Sequence, residues 1–154
     1  MTRKTKPLKQ PVSVLVVLHD TEGNVLLIER ADREGFWQSV TGSIESGETL
    51  AETARREVFE ETGICLSDGQ LNDWRQSQQY EIYPHWRHRY PPGVTHNTEH
   101  VFSACIAADT PITLSAEHTR HRWLPAEAAA DLAFSPSNQQ AILDLARRLQ
   151  REAV

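Results

Sequence analysis

The sequence is poor in several features that mark specialised classes of protein. Its two cysteines, Cys65 and Cys105, are too few for a disulfide framework, so we expect both to be buried free thiols in a reducing cytoplasm. No apolar run approaches the ~20 residues that span a bilayer. The basic N-terminus has no apolar stretch of the kind that marks a secretory signal. We therefore expect a cytoplasmic protein that has no membrane partner.

The chain also lacks an excess of basic charge. Its 21 Asp and Glu residues outnumber its 16 Lys and Arg residues, which gives a net charge of −5 at pH 7. A general nucleic-acid binder needs the opposite balance to neutralise phosphates, so we predict no nucleic-acid partner. A small anionic ligand is compatible with this charge, because a bound metal can supply positive charge.

The size and composition of the chain are those of one globular domain. A length of 154 residues fits a single core, and a content of 39% hydrophobic and 24% charged residues is ordinary for such a domain. We predict one domain over residues 1–154, in which residues 1–8 form a loosely ordered N-terminal arm. A monomer or a weak dimer is expected.

Hydrophobic patterning predicts that strands dominate the chain. Val12–Leu18 is a continuous β-branched run, which is typical of a strand buried on both faces. Turn residues separate it from a second strand, Val25–Arg30, and the two are expected to form a hairpin. Gly35–Thr41 reads as an extended aromatic segment. Further strands are expected at Asp73–Tyr83, Glu99–Ala107, Ile112–Leu114 and His121–Leu124.

Two helices are predicted, well separated in sequence. Leu50–Thr62 is the clearer one, because Thr49 and Glu52 can form a capping box at its start and Gly63 can cap its end. The other begins after Ser135 or Ser137, runs to about Arg151 and carries an apolar stripe. Many strands with two such helices indicate an α+β fold, arranged as an α/β/α sandwich around a mixed sheet.

Three glutamates crowd one flank of the first helix. On a helical wheel, Glu57 and Glu61 lie one turn apart at the edge of the apolar face, and Glu60 lies on the same side. Like charges at this spacing repel by a few tenths of a kcal/mol in water, and by more beside an apolar face. Clustered carboxylates suit Mg²⁺. The alternative is a solvated acidic helix face, in which Arg55 and Arg56 relieve part of the charge.

The loop before the helix favours the metal site. It begins at Gly42, which is followed by five residues, Glu48, seven further residues and then Arg56–Ile64. This order resembles the box of the Nudix hydrolases at every defined position. Chance agreement with seven fixed positions is on the order of 10⁻⁸ per start site at average residue usage. A strand pair before the box and the run Trp123–Ala128 after it are also similar to this family. The resemblance implies the Nudix fold, with a mixed sheet between helices.

The family resemblance implies a role for each charged residue of the box. Nudix hydrolases cleave nucleoside diphosphates linked to another moiety, and their cofactor is expected to be Mg²⁺. By position, Glu57, Glu60 and Glu61 would be metal ligands that also serve catalysis. Arg56 would hold these carboxylates in place through charge-assisted hydrogen bonds. Glu48 would be an outer ligand or would organise the loop.

The reaction also needs a general base that removes a proton from the attacking water. In this superfamily the base comes from the box or from a later loop. Glu117, which follows the expected strand Ile112–Leu114, resembles that later acidic position, and we assign it a catalytic and a metal-binding role. The alternative is an ordinary solvated glutamate of a surface loop.

The substrate must be recognised outside the box. Phe36–Gly42 and Tyr80–Glu99 interleave aromatic residues with His, Arg and amide side chains, which suits a flat heterocycle that carries a phosphate tail. The alternative is an aromatic hairpin that packs on the core. Over about residues 9–145 the pattern resembles the bacterial dihydroneopterin triphosphate pyrophosphatases, which implies release of pyrophosphate from that small-molecule substrate. Predicted substrate contacts are Lys9, Arg30, Thr41, Gly42, Tyr80, Glu81, Ile82, Tyr83 and Ser135.

Two other functions are compatible with the sequence. A pyrophosphatase acting on dATP or an oxidised deoxynucleotide would share the metal site and differ in base recognition. A non-catalytic Nudix-fold ligand sensor would belong to another class, but such a module need not keep the acidic residues of the box. An RNA 5′-end pyrophosphohydrolase is disfavoured because no extended basic groove is evident.

Overall fold

The computed structural model describes residues 8–152, so most of the expected N-terminal arm, residues 1–7, lies outside the described part of the chain. The strands are β1 (Val12–His19), β2 (Asn24–Arg30), β3 (Trp37–Gln38), β4 (Val40–Ser43), β5 (Leu71–Glu81), β6 (His96–Cys105) and β7 (His118–Pro125). The helices are α1 (Leu50–Thr62), α2 (Ala126–Leu132) and α3 (Pro136–Glu152), with short 3₁₀ helices at Asp68–Gln70 and Pro84–Arg89. No helix within this range is both long and apolar enough to cross a membrane.

The strands form one mixed sheet in which β1 is central. It runs parallel to β6 along its whole length, with Val12 opposite Thr98 and His19 opposite Cys105, and antiparallel to β4. It meets β2 only at His19 and Val25, and β2 pairs instead with β3 and β7. The predicted hairpin therefore exists only next to its turn, because β4 and β6 occupy the edges of β1.

Helices cover both faces of this sheet. Along β1, Val16 belongs to a buried cluster that includes Val58 of α1, whereas Leu15 and Val17 belong to a second cluster that includes Ile142 of α3. Successive side chains of a strand point to opposite faces, so β1 is buried on both sides. The chain thus has the predicted α/β/α sandwich with a mixed sheet.

The helix ends follow the local sequence. Thr49 and Glu52 form the predicted capping box of α1, and Gly63 ends the helix with a φ of 76°. At the start of α3, the backbone N–H of Asn138 donates to the Ser135 hydroxyl, at 3.1 Å. Of the two serines considered for this cap, Ser135 is the one that forms it.

Some local predictions are wrong. Ile112–Leu114 is not a strand; its central residue donates a backbone hydrogen bond to the Thr62 carbonyl, which ties the segment to the end of α1 instead of to the sheet. Both cysteines are free, but Cys65 is exposed and Cys105 is only partly buried. Helix α2 was not predicted, because it is short and is stabilised by packing of its buried alanines beside α3.

An ion pair between a buried glutamate and an exposed arginine links β2 to β7. Glu29 is buried, and its carboxylate accepts hydrogen bonds from the Arg120 guanidinium at 2.8 and 3.0 Å and from the Gly35 backbone at 2.8 Å. These hydrogen bonds lower the pKa of Glu29 from 4.5 to about 2. A depressed pKa means that the charged form stabilises the fold at neutral pH and that this contribution disappears on acidification.

We expect Glu29→Gln to lower the melting temperature at pH 7. The difference in melting temperature between the variant and the unsubstituted protein should become smaller as the pH falls from about 4.5 toward 2. The reason is that the carboxylate is progressively protonated in both states over this range. Calorimetry of both proteins between pH 7 and pH 3 measures the effect. A difference that stays constant over this range would show that Glu29 stabilises the fold without its charge.

Candidate active site

Arg56 lies at the centre of the acidic residues on α1 and in the loop before it. Its guanidinium donates to both oxygens of Glu48, at 2.7 and 2.9 Å, to Glu57 Oε1 at 2.5 Å and to Glu60 Oε2 at 3.2 Å. It also donates to the backbone carbonyl of Ser43, at 3.0 Å. One partly buried cation thus fixes three carboxylates and the start of the loop, because a planar guanidinium can bind several acceptors at once.

Glu48 ties the loop to the helix. In addition to Arg56, its carboxylate accepts from the Glu45 backbone and from the Thr53 hydroxyl, both at 2.9 Å. The hydrogen bond with Arg56 is the main cause that lowers the pKa of Glu48 to about 2. Glu48 therefore stays ionised and holds the loop in position through these hydrogen bonds.

Glu57 lies directly against Gly42 of β4. A Cβ atom added at Gly42 would lie 2.0 Å from Glu57 Cδ and 2.2 Å from Oε2, well inside van der Waals contact. Any residue other than glycine would therefore displace the carboxylate. The glycine of the box is needed because the backbone of β4 and the side chain of Glu57 occupy neighbouring space.

Glu61 is the most buried carboxylate of the group, with 4% of its surface exposed. Its Oε1 atom is fully buried and has no hydrogen-bond partner among the described residues. Burial, reinforced by Glu57 and Glu117, raises the pKa of Glu61 well above its ordinary value. His118 Nε2 lies 3.7 Å from Oε1, and burial lowers the pKa of this histidine. A buried carboxylate without a cationic partner is costly, so the site suits a bound cation.

The carboxylates of Glu57, Glu60, Glu61 and Glu117 line one cleft of about 850 Å³, which we call the acidic cleft. Glu60 and Glu117 are the exposed members and lie toward its mouth. Within residues 8–152, no three acidic, His or Cys side chains are arranged to hold an ion as they stand. Arg56 binds two of these carboxylates, those of Glu57 and Glu60.

Basic side chains line the same cleft as the carboxylates. Lys9, Arg30 and Arg89 are among them, and the backbone N–H of Lys9 donates to the Arg89 carbonyl at 2.8 Å. Burial, with help from the Arg89 charge, lowers the pKa of Lys9. Arg30 forms an ion pair with Asp32 at 2.8 Å. The cleft therefore presents acidic and basic groups to one volume, as a phosphate chain with a bound cation requires.

An aromatic pocket of about 340 Å³ adjoins the acidic cleft. Its wall includes Trp86, whose ring meets Tyr83 edge-on at 5.4 Å and Phe134 edge-on at 6.3 Å between centroids. The Arg30 guanidinium lies over Trp86 at 4.8 Å. The pocket and the cleft share eight residues, which are Lys9, Arg30, Gln38, Thr41, Gly42, Ser43, Trp86 and Arg89.

The structure brings most of the predicted substrate contacts together. The pocket is lined by Lys9, Arg30, Thr41, Gly42, Tyr80, Ile82, Tyr83 and Ser135. Glu81 is different, because it lines neither cavity and its carboxylate accepts from Arg87 at 2.9 Å. Its two neighbours, Tyr80 and Ile82, line the pocket. Its assignment as a substrate contact is therefore not supported by its position.

Sequence reasoning missed several residues of the site. Trp86, Arg89 and Glu99 lie within the aromatic and basic stretch that was singled out as a whole, but no pattern distinguished them individually. Phe134 stacks on Phe36 at 4.6 Å, and nothing in its local sequence indicated this. His118, beside Glu61, also carried no signal. These side chains meet only through tertiary packing.

We expect Gly42→Ala to reduce the free energy of unfolding by about 1–3 kcal/mol, because its methyl group must push Glu57 out of place. Gly69→Ala is the matched control, since a Cβ at that position meets no atom within 4 Å and its change should stay within about 0.5 kcal/mol. Urea denaturation of both variants measures the difference. Equal stabilities would contradict the close approach of Glu57 to β4.

Comparison with known proteins agrees with this geometry. The NUDIX domain model matches residues 9–145. The dihydroneopterin triphosphate diphosphatase of Escherichia coli K12 is 48% identical over 143 residues, which cover 90% of this chain and 94% of that protein. The Haemophilus influenzae enzyme of the same name is 40% identical, with coverages of 93% and 92%. The structure of the E. coli dihydroneopterin triphosphate pyrophosphohydrolase superposes with a TM-score of 0.83 at 46% identity and covers 89% and 95% of the two chains. The chain therefore belongs to the Nudix family.

Proposed function

We propose that this chain is a Mg²⁺-dependent pyrophosphohydrolase that converts dihydroneopterin triphosphate to the monophosphate and pyrophosphate. The observation that carries this proposal is the wall shared by the acidic cleft and the aromatic pocket. A heterocycle in the pocket would place its phosphates beside the carboxylates of α1. The two bacterial relatives that carry the name of this activity match nearly the whole chain and support the substrate assignment.

The acidic residues fit a divalent cation, which Nudix hydrolases generally use. Glu57, Glu60, Glu61 and Glu117 supply the hard oxygen ligands that Mg²⁺ prefers, and the buried Oε1 of Glu61 has no hydrogen-bond partner among the described residues. When bound, the cation supplies positive charge that neutralises the diphosphate and orients the attacking water.

The protein's own groups then have distinct roles. Arg56 and Glu48 keep the box rigid, so the carboxylates are held in position before substrate arrives. Glu117 is exposed at the mouth of the cleft and is placed to accept a proton from water as the general base. Its charge also acts on Glu61 and Lys9, which puts it electrostatically within the site.

Different residues would contact the phosphates and the ring of the substrate. Lys9, Arg30 and Arg89 line both cavities and would bind the phosphates. The pterin ring would lie among Tyr80, Ile82 and Tyr83 in the aromatic pocket, where flat side chains offer contact area. Thr41 and Ser135 add hydroxyl groups to the same walls.

We expect Glu57→Gln and Glu61→Gln each to lower kcat more than tenfold, about 1.4 kcal/mol of barrier, and to weaken Mg²⁺ binding while leaving the fold intact. Each amide keeps the shape of the side chain and removes the charge that holds the cation. Pyrophosphate release and titration calorimetry with Mg²⁺ measure the two effects. Glu127→Gln, on the exposed side of α2, is the control and should match the unsubstituted enzyme. Variants that retain more than a tenth of kcat would argue against direct ligation.

A substrate panel tests the specificity. We expect kcat/KM on dihydroneopterin triphosphate to exceed that on dATP and 8-oxo-dGTP by at least tenfold, because the aromatic pocket is assigned to a pterin. Hydrolysis in ¹⁸O-labelled water, followed by mass spectrometry of the products, would show which phosphorus is attacked. A tenfold preference for a deoxynucleotide would overturn the substrate assignment. No Mg²⁺-dependent release from any of these compounds would favour a ligand sensor.

A further inference from the structure

Arg30 is held in place by its backbone, by one edge of its guanidinium and by one face of it. It is the last residue of β2, where the pairing with β7 shifts register, and its backbone N–H donates to the Phe36 carbonyl at 2.9 Å. The guanidinium donates from Nε and Nη2 to the two oxygens of Asp32, both at 2.8 Å. It also lies over the Trp86 ring, 4.8 Å from the centroid. The side chain is therefore restricted in two different ways, by an anion and by an aromatic ring.

These contacts leave one edge of the guanidinium for another acceptor. The pair with Asp32 uses the Nε–Nη2 edge, so the Nη1 group and the second N–H of Nη2 point away from that carboxylate. The Arg30 side chain is 18% exposed and lines both the acidic cleft and the aromatic pocket. The remaining edge suits a phosphate group, because arginine binds phosphates and carboxylates through pairs of parallel N–H donors.

Trp86 is fixed by contacts that do not involve Arg30. It lies in the short 3₁₀ helix Pro84–Arg89, and its backbone N–H donates to the Tyr83 carbonyl at 2.9 Å. Its ring meets the rings of Tyr83 and Phe134 edge-on and lies 4.6 Å from the His85 ring between centroids. The indole is therefore a fixed surface against which a long side chain can be held.

An aromatic face restricts an arginine without using its hydrogen-bond donors. An arginine side chain has several rotatable bonds, and a ligand that fixes it in one conformation must offset the lost entropy. A contact that already exists in the free protein removes part of this cost. The attraction between a guanidinium and an aromatic ring is strongest for tryptophan, and it leaves the N–H groups in the plane of the guanidinium for other partners. Unlike Asp32, Trp86 also leaves the positive charge of Arg30 without a countercharge.

We propose that Trp86 is the positioning residue that holds the Arg30 guanidinium in place for the phosphate chain of the substrate. This role rests on the proposed function, in which Arg30 binds the phosphates, and deepens it by naming the side chain on which that contact depends. Trp86 lines both cavities, so it lies where the ring and the phosphates of a bound substrate would meet. The competing explanation is that the indole contacts the ring of the substrate directly.

Inorganic pyrophosphate, the proposed product, separates these two explanations because it has no ring. We expect Trp86→Leu to weaken the binding of pyrophosphate in the presence of Mg²⁺ about 3- to 10-fold, because Arg30 loses the face that restricts it. Trp86→Phe keeps an aromatic face and should bind within about twofold of the unsubstituted protein. Titration calorimetry measures both affinities. An unchanged affinity in the leucine variant would overturn the proposal and leave Trp86 as a contact for the ring.

A double-mutant cycle tests whether Trp86 acts through Arg30. We expect Arg30→Gln alone to weaken pyrophosphate binding about tenfold or more, and Trp86→Leu to change the affinity by less than about twofold in that background. Arg33→Gln is the matched control, because Arg33 lies over Phe36 at 4.7 Å but lines neither cavity, and it should bind as the unsubstituted protein does. A loss of the same size in both backgrounds would show that Trp86 acts independently of Arg30 and would overturn the proposal.

A purely structural role for Trp86 predicts a different pattern. If the ring only packs the helix Pro84–Arg89 against Phe134, Trp86→Phe would bind as poorly as Trp86→Leu, which contradicts the proposal. Melting temperatures show whether each variant is folded, and Trp86→Gln, which suits a partly exposed position, replaces the leucine variant if that one does not fold. No measurable binding of pyrophosphate to the unsubstituted protein would also overturn the proposal.

The measurement is independent of the identity of the substrate. Pyrophosphate reports on the phosphate contacts alone, whereas the substrate panel reports on the ring. If dihydroneopterin triphosphate is a poor substrate but pyrophosphate binding depends on Trp86 through Arg30, the proposed substrate fails and the positioning role stands. If dihydroneopterin triphosphate is hydrolysed but pyrophosphate binds the leucine variant normally, the positioning role fails and the proposed function stands.

Discussion

The close contact between the Glu57 side chain and the backbone of β4 determines the geometry of the whole site. It requires glycine at position 42, because any side chain there would occupy the space of the carboxylate. It also sets how near α1 lies to the central part of the sheet. Arg56 then completes the arrangement by binding Glu57 from the solvent side and Glu48 from the loop. The loop, β4 and α1 therefore hold one another in position.

The two faces of the sheet carry different parts of the candidate site. The face covered by α1 carries the carboxylates that suit a cation, whereas the face covered by α3 carries Glu99 and Asn97 among the strands that form the floor of the pocket. The two regions meet beside β4 and the short helix Pro84–Arg89.

The features that could be predicted from sequence are those with a local cause. The capping box of α1, its glycine cap and the spacing of its glutamates depend on residues within a few turns of one another, and these elements were placed correctly. The burial of β1 on both faces is likewise a property of a short apolar run. Glu81 is the exception within the predicted segment, because it lines neither cavity whereas its neighbours Tyr80 and Ile82 line the pocket.

The features that were missed depend on contacts between distant parts of the chain. Trp86 and Phe134 meet only when the segment after β5 folds against the start of α3. The environment of Glu99 comes from three strands and one helix, and no local pattern shows that its oxygen lacks a partner. Ile112–Leu114 has the composition of a strand, but the end of α1 takes its backbone hydrogen bond. A tertiary hydrogen bond therefore determines the conformation of that segment.

The parallel pairing of β1 with β6 has a consequence for the order in which the molecule is assembled. Val12 lies opposite Thr98, so the central pair of strands closes a loop that contains the entire box. Loop closure over that distance costs chain entropy before the pairing contributes any stability. During synthesis, the box can form its helix early, yet it has no completed sheet to pack against until β6 has left the ribosome. Until then α1 can pack only on strands that precede it, such as β1 and β4, so the acidic cleft and the aromatic pocket are both completed late in folding.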